Sequence, residues 1–196
     1  MMLHSNTARR IEIERARQIM AALPAFVTPV GLFIDASLEQ IRQITNPLRL
    51  RHIQLHGNEP IELIASLPDL CIIKVVRVSR EKFGDRLQAL RSAISKHSLQ
   101  NFKGLLLETD DAKQAGGTGT ANDWETIRAH QQAGGFDGLP PIIAAGGLRP
   151  ETVGDVVRNL RPFAVDLSSG IESAIGIKSR EKMAAFVAAV HAADST

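Results

Sequence analysis

The apolar positions fall into short continuous runs separated by longer stretches with helical spacing. The runs are Phe26–Ile34, His52–His56, Ile72–Val78, Gly104–Thr109, Pro141–Gly147 and Phe163–Ser168. Most are unbroken rather than alternating, as in parallel strands covered on both faces. Between them the spacing predicts helices over Glu12–Ala22, Leu38–Pro47, Pro60–Leu67, Asp85–Lys96, Trp124–Ala133, Glu151–Leu160 and Ser179–Ala192. Ser37 ahead of Leu38-Glu39-Gln40 reads as a capping box, and Pro150-Glu151 as a helix start that suits the positive end of the dipole. Six strands alternating with helices predict an α/β fold with a parallel sheet, in one domain over residues 1–196. The sheet is either open and doubly wound or a barrel. The first predicted element is a helix.

Composition narrows the function classes. Hydrophobic residues make up 44% and charged residues 22%, a globular balance. No apolar run reaches the roughly 18 residues that span a bilayer, so no membrane partner is expected. The start of the chain lacks the apolar stretch of a secretory signal. There are 23 basic and 21 acidic residues, too even a balance to argue for nucleic acid. With seven Phe, one Trp and no Tyr, a base-stacking surface is poorly supplied. One cysteine, Cys71, allows neither an internal disulfide nor a cysteine-rich zinc site. These features fit a cytoplasmic, cofactor-light protein and do not choose a function. No motif speaks to the oligomeric state.

Parallel α/β folds place their sites at the carboxyl ends of strands. In Ile53-Gln54-Leu55-His56-Gly57, Gln54 and His56 share one face. His56 is either part of a polar site or a strand-end histidine bonded to a loop carbonyl. Glu108 ends an apolar run as either an ion-pair or capping residue or a general acid, with Asp110 and Asp111 close by. Gly116-Gly117-Thr118-Gly119 fits neither a Walker motif nor a dinucleotide fingerprint. Gly146 and Gly147 precede a predicted helix, and Ser168, Ser169 and Gly170 follow the next strand. Together these segments read as a phosphate site or as tight turns that need glycine.

Taken in order, the motifs resemble phosphoribosylanthranilate isomerase, of tryptophan biosynthesis. The resemblance rests on Thr7-Ala8-Arg9, Gln54-Leu55-His56-Gly57, Leu106-Leu107-Glu108-Thr109, Gly116-Gly117-Thr118-Gly119 with Asp123-Trp124, Gly146-Gly147-Leu148-Arg149-Pro150-Glu151, Asp166-Leu167-Ser168-Ser169-Gly170-Ile171-Glu172, and Gly176 with Lys178. It implies a (β/α)8 TIM barrel without metal or organic cofactor. It also implies an Amadori rearrangement of a small phosphorylated sugar–anthranilate substrate. By resemblance Glu108 is the general acid, and Arg9 meets the substrate carboxylate. Gln54, His56 and Asp166 line the barrel mouth, and Gly146, Gly147, Ser168, Ser169 and Gly170 hold the phosphate. The family's acid is usually Asp, one methylene shorter than Glu108. Its general base is a cysteine on a first strand not matched here. The first βα unit and the second strand, on the order of 30 residues, are therefore expected to be absent. Cys71 opens the Ile72–Val78 run and reads as a small buried hydrophobe. The resemblance leaves open an inactive chain that keeps a phosphate site.

Overall fold

The computed structural model describes residues 1–109 and 123–195. Seven strands form one sheet in chain order: β1 (Met2–His4), β2 (Val30–Phe33), β3 (His52–Leu55), β4 (Cys71–Val78), β5 (Phe102–Thr109), β6 (Ile142–Ala144) and β7 (Ala164–Val165). The helices are α1 (Ile13–Ala21), α2 (Leu38–Leu48), α3 (Phe83–His97), α4 (Trp124–Gln132), α5 (Val153–Leu160) and α6 (Arg180–Asp194). A parallel sheet whose order never reverses has no topological switch point. That order belongs to the TIM-barrel kind of α/β fold and decides against the doubly wound alternative.

The described residues divide into two compact units. The first comprises Met1–Val75 with Ser92–Gly104; the second comprises Val76–Arg91 with the residues from Leu105 on. In the first, Phe33, Ile41, Ile53, Leu55, Ile64 and Ile72 have no exposed surface. The capping box of α2 is present: Gln40 N–H donates to Ser37 Oγ at 3.2 Å, and Ser37 N–H donates to Gln40 Oε1 at 2.8 Å. In the second unit the core centres on Phe83, Leu105, Leu107, Ile127, Ala144 and Val153, all fully buried.

Several expectations are corrected. The chain does not open on a helix. Met2–His4 is a strand whose residue Met2 pairs in parallel with Leu32 of β2, so the strand expected to be absent before α1 is present. The run Phe26–Ile34 contributes only Val30–Phe33, because Pro29 cannot donate to a ladder and Phe26 stays fully exposed. Pro60–Leu67 forms a 3-10 turn over Ile61–Ser66, and Asn101 Nδ2 donates to the carbonyls of Ile64 at 2.9 Å and Leu67 at 2.8 Å. Pro150-Glu151 does not open α5. It lies in a turn in which Thr152 N–H and Val153 N–H both reach the Arg149 carbonyl, and the helix begins at Val153. A two-stranded hairpin follows β7, pairing Glu172–Ala174 with Ile177–Lys178. Cys71 is the first residue of β4, as expected, but it is half-buried rather than buried.

Candidate active site

In the first unit, the residues past the carboxyl ends of β1, β2 and β3 are tied together by the backbone. Ile34 N–H donates to His4 O at 2.9 Å, and His56 N–H donates to Phe33 O at 2.8 Å. Beyond β1 the chain turns back through Ser5 and Thr7, whose hydroxyls are 3.0 Å apart, and half-buried Arg9 sits in that turn. Gln54 and His56 do share a face: Gln54 Nε2 lies 2.7 Å from His56 Nδ1, and both residues are buried. The second residue after Gly57 is Glu59, which forms a buried ion pair with Lys74 of β4 at 2.9 Å. Glu59 and Lys74 were not singled out from the sequence. The available signal was a lysine inside the continuous apolar run of β4, which is rare unless the charge is paired.

In the second unit, β5, β6 and β7 end side by side. Ala145 N–H donates to Leu107 O at 3.1 Å and Asp166 N–H donates to Ala144 O at 2.9 Å. Glu108 is the penultimate residue of β5, largely buried, and its Oε2 accepts a hydrogen bond from Arg77 Nη1 of β4. The ion-pair alternative for Glu108 is thus realised. The guanidinium orients the carboxylate, and any acid role for Glu108 requires that it first take up a proton. Arg77 is in turn tied down through its own carbonyl, which accepts from Arg86 Nη1 at 2.6 Å. Arg77 is a second basic residue that the apolar run of β4 concealed. Asp110, Asp111 and the Gly116–Gly119 motif lie outside the described residues.

The two glycine-bearing segments meet within this unit. Gly146 and Gly147 follow β6 with φ of 91° and 64°, so this turn demands glycine. A Cβ at Gly170 would stand 2.1 Å from the Leu148 carbonyl oxygen, which places the turn after β7 directly against the turn after β6. Ser168, Ser169 and Gly170 are half-buried, and Asp166 is exposed. Lys178 of the hairpin donates to Ser168 O at 2.7 Å and pairs with Glu172 at 3.0 Å. The turns after two consecutive strands, with two hydroxyls and the hairpin lysine beside them, thus lie together at the carboxyl ends of β6 and β7. Among the described residues, no three His, Cys, Asp or Glu side chains gather as for a metal ion, and no helix is long and apolar enough to cross a membrane.

The sequence profile of N-(5'phosphoribosyl)anthranilate (PRA) isomerase matches residues 1–189. Because the match begins at residue 1, it gives no support to the expected loss of a strand–helix–strand. The chain is 37% identical over 190 residues to the N-(5'-phosphoribosyl)anthranilate isomerase of Pseudomonas fluorescens, covering 96% of this chain and 85% of that one. It is 38% identical over 193 residues to that of Moorella thermoacetica, covering 97% and 78%. The crystal structure of phosphoribosyl anthranilate isomerase from Thermotoga maritima superposes with a TM-score of 0.80 at 32% identity, over 97% of this chain and 86% of that one. A structure of such an isomerase in complex with reduced 1-(o-carboxyphenylamino)-1-deoxyribulose 5-phosphate superposes with a TM-score of 0.78 at 31% identity, over 97% and 85%.

Proposed function

From its membership of the N-(5'phosphoribosyl)anthranilate isomerase family, to which this chain belongs, we propose that it converts phosphoribosylanthranilate to 1-(2-carboxyphenylamino)-1-deoxyribulose 5-phosphate in tryptophan biosynthesis. The observation that carries this reading is the cluster in the second unit: Glu108 oriented by Arg77, on the strand next to the turn of Gly146 and Gly147. Glu108, once protonated, gives its proton to the furanose ring oxygen. The C1–O bond breaks, and the nitrogen lone pair forms a protonated Schiff base. Arg77 stabilises the charge left on Glu108. A general base then takes the C2 proton, giving an enolamine; it returns a proton to C1 while the hydroxyl proton passes to solvent, giving the ketone. Arg9 pairs with the substrate carboxylate through its planar fork. Gln54, His56 and Asp166 contact the sugar. Gly146, Gly147, Ser168, Ser169 and Gly170 hold the phosphate. No cofactor enters the scheme, and a cytoplasmic location goes with it.

The test is ketose formation by Glu108→Gln against the unmodified chain. Turnover should fall by roughly 10²–10⁴, with the circular dichroism spectrum unchanged. Near-normal turnover would remove Glu108 from the acid role and pass it to Asp110 or Asp111. Binding of the reduced product without any turnover by the unmodified chain would make the protein a sugar-phosphate binder rather than an isomerase.

A further inference from the structure

The turn His56–Asn58 is held through its backbone amides and the Gly57 carbonyl. His56 N–H donates to Phe33 O, and Gly57 N–H is shared between the two carboxylate oxygens of Glu59 at 3.3 and 3.1 Å. Asn58 N–H donates to Asp35 Oδ1 at 2.7 Å, and Lys74 Nζ donates to the Gly57 carbonyl at 2.7 Å. Glu59 closes the network by accepting from Asp35 N–H at 2.8 Å and from Lys74 Nζ at 2.9 Å. The Lys74 side chain is 8% exposed and that of Glu59 is 1% exposed. There is no slack at the centre, since a Cβ on Gly57 would stand 2.3 Å from Asp35 Oδ1 and 2.5 Å from Asp35 N. Asp35 itself holds a left-handed backbone, φ 51°, which costs energy in a non-glycine residue.

A buried ion pair gives up so much hydration that an apolar pair of the same volume is often at least as stabilising. The Lys74–Glu59 pair is therefore poorly explained by stability. What it does that apolar groups cannot do is grip a glycine by its N–H and its C=O at once. We propose that Lys74 and Glu59 are positioning residues for His56: they clamp Gly57 so that Gln54 holds the His56 ring in one place and one tautomer. An amide nitrogen can only donate, so Nδ1 of His56 accepts from Gln54 and the ring proton lies on Nε2. That leaves Nε2 as the ring nitrogen that donates. The inference rests on the reading of His56 as a substrate-contacting residue.

The double variant Glu59→Gln with Lys74→Met tests it, because it removes both charges together and keeps an acceptor for the Asp35 and Gly57 amides. It should unfold within about 5 °C of the parent. Its affinity for inorganic phosphate should be unchanged, since that site lies in other strands. In nitrogen NMR of the ring, His56 should show protonation shared between Nδ1 and Nε2. Affinity for reduced 1-(o-carboxyphenylamino)-1-deoxyribulose 5-phosphate should fall roughly 10- to 100-fold, the scale of a donor left without its acceptor. A folded double variant with the single Nε2–H tautomer and parental affinity overturns the proposal. Should the variant fail to fold, amide exchange in the unmodified chain decides. Gly57 and Asn58 must exchange as slowly as the interior of β3, and rapid exchange at either overturns the clamp. If the unmodified chain binds no reduced product, the isomerase reading fails, while the ring spectrum and the amide exchange still judge the clamp.

Discussion

Two lysines, one in each compact unit, make almost the same bonds. Lys74 donates to a backbone carbonyl at 2.7 Å and to Glu59 at 2.9 Å. Lys178 donates to a backbone carbonyl at 2.7 Å and to Glu172 at 3.0 Å. Their exposure differs: 8% for the side chain of Lys74 and 38% for that of Lys178. Distances alone would rank them equal. Hydration separates them, because a charge that still meets water has an alternative partner and a buried one has none. The sites in the two units differ in the same way. Around His56 the backbone is gripped by buried side chains. Around Gly146, Gly147 and Ser168–Gly170 the chain is half-buried. The first arrangement holds the backbone from buried groups; the second leaves it half-buried.

The comparison is broken most severely by Lys74→Met alone. It leaves the Glu59 carboxylate buried beside two amides but without its cation. The expected loss is about 3–5 kcal/mol, read from urea unfolding. Adding Glu59→Gln should recover most of it, since the charge then disappears with its partner. A loss below about 1 kcal/mol for the single variant would put Lys74 in the class of surface pairs.

Gly147→Val probes the open site. A β-branched residue at φ 64° is strained, and about 1–3 kcal/mol of stability or local order should be lost. The functional loss should be selective: substrate or phosphate binding weakens, while a phosphate-free analogue binds as before. Equal loss for both ligands would show damage to the fold rather than to an anion site.

The strand-and-helix rhythm was legible from the apolar runs, because parallel strands covered on both faces have little room for polar residues. Gln54 and His56 were legible as a pair, since period-two geometry puts them on one face. The strand Met2–His4 was not, because three residues are too few for periodicity to register, and pairing with β2 makes the strand. Lys74, Glu59 and Arg77 were also missed. A lysine or arginine within an apolar run reads as an interruption, and only three-dimensional contact shows that Lys74 faces Glu59 and Arg77 faces Glu108. Glu108 was legible as either an ion pair or an acid, and the fold supplies the first without removing the second.

A smaller effect is expected at Asp123. Like Glu59, it is a carboxylate accepting from a backbone amide, Thr126 N–H at 3.0 Å, but its side chain is 30% exposed. That bond, with the Thr126 hydroxyl and Arg80, holds its pKa below the ordinary carboxylate value against a modest opposing effect of burial. A lowered pKa stabilises the fold above the unfolded value near 3.9, and this contribution is lost as pH falls through the lower folded value. Asp123→Ala should cost about 1 kcal/mol at pH 7, as for other helix N-caps. The gap between variant and parent should narrow on acidification. A gap that stays constant down to pH 2 would mean that the cap works through its shape and not its charge.

The smallest change completes the matched pair. Lys178→Met removes an ammonium from the same two kinds of partner that Lys74 has. Here the ammonium never fully left water, so little is regained by the unfolded chain and little is lost by the folded one. Glu172 is only 7% exposed in its side chain, so the cost should sit at the upper end of the surface range, about 1 kcal/mol. The Glu172 carbonyl remains tied to Lys182 Nζ at 2.8 Å, which keeps the hairpin anchored to α6. Because the pair is in contact with solvent, its contribution should shrink as salt rises from about 0.01 M to 1 M and the screening length drops from about 30 Å to 3 Å. The loss in Lys74→Met should hardly respond to salt. Urea unfolding of both variants at the two salt concentrations makes the measurement. Equal losses, or equal salt dependence, would mean that burial is not what distinguishes these two lysines.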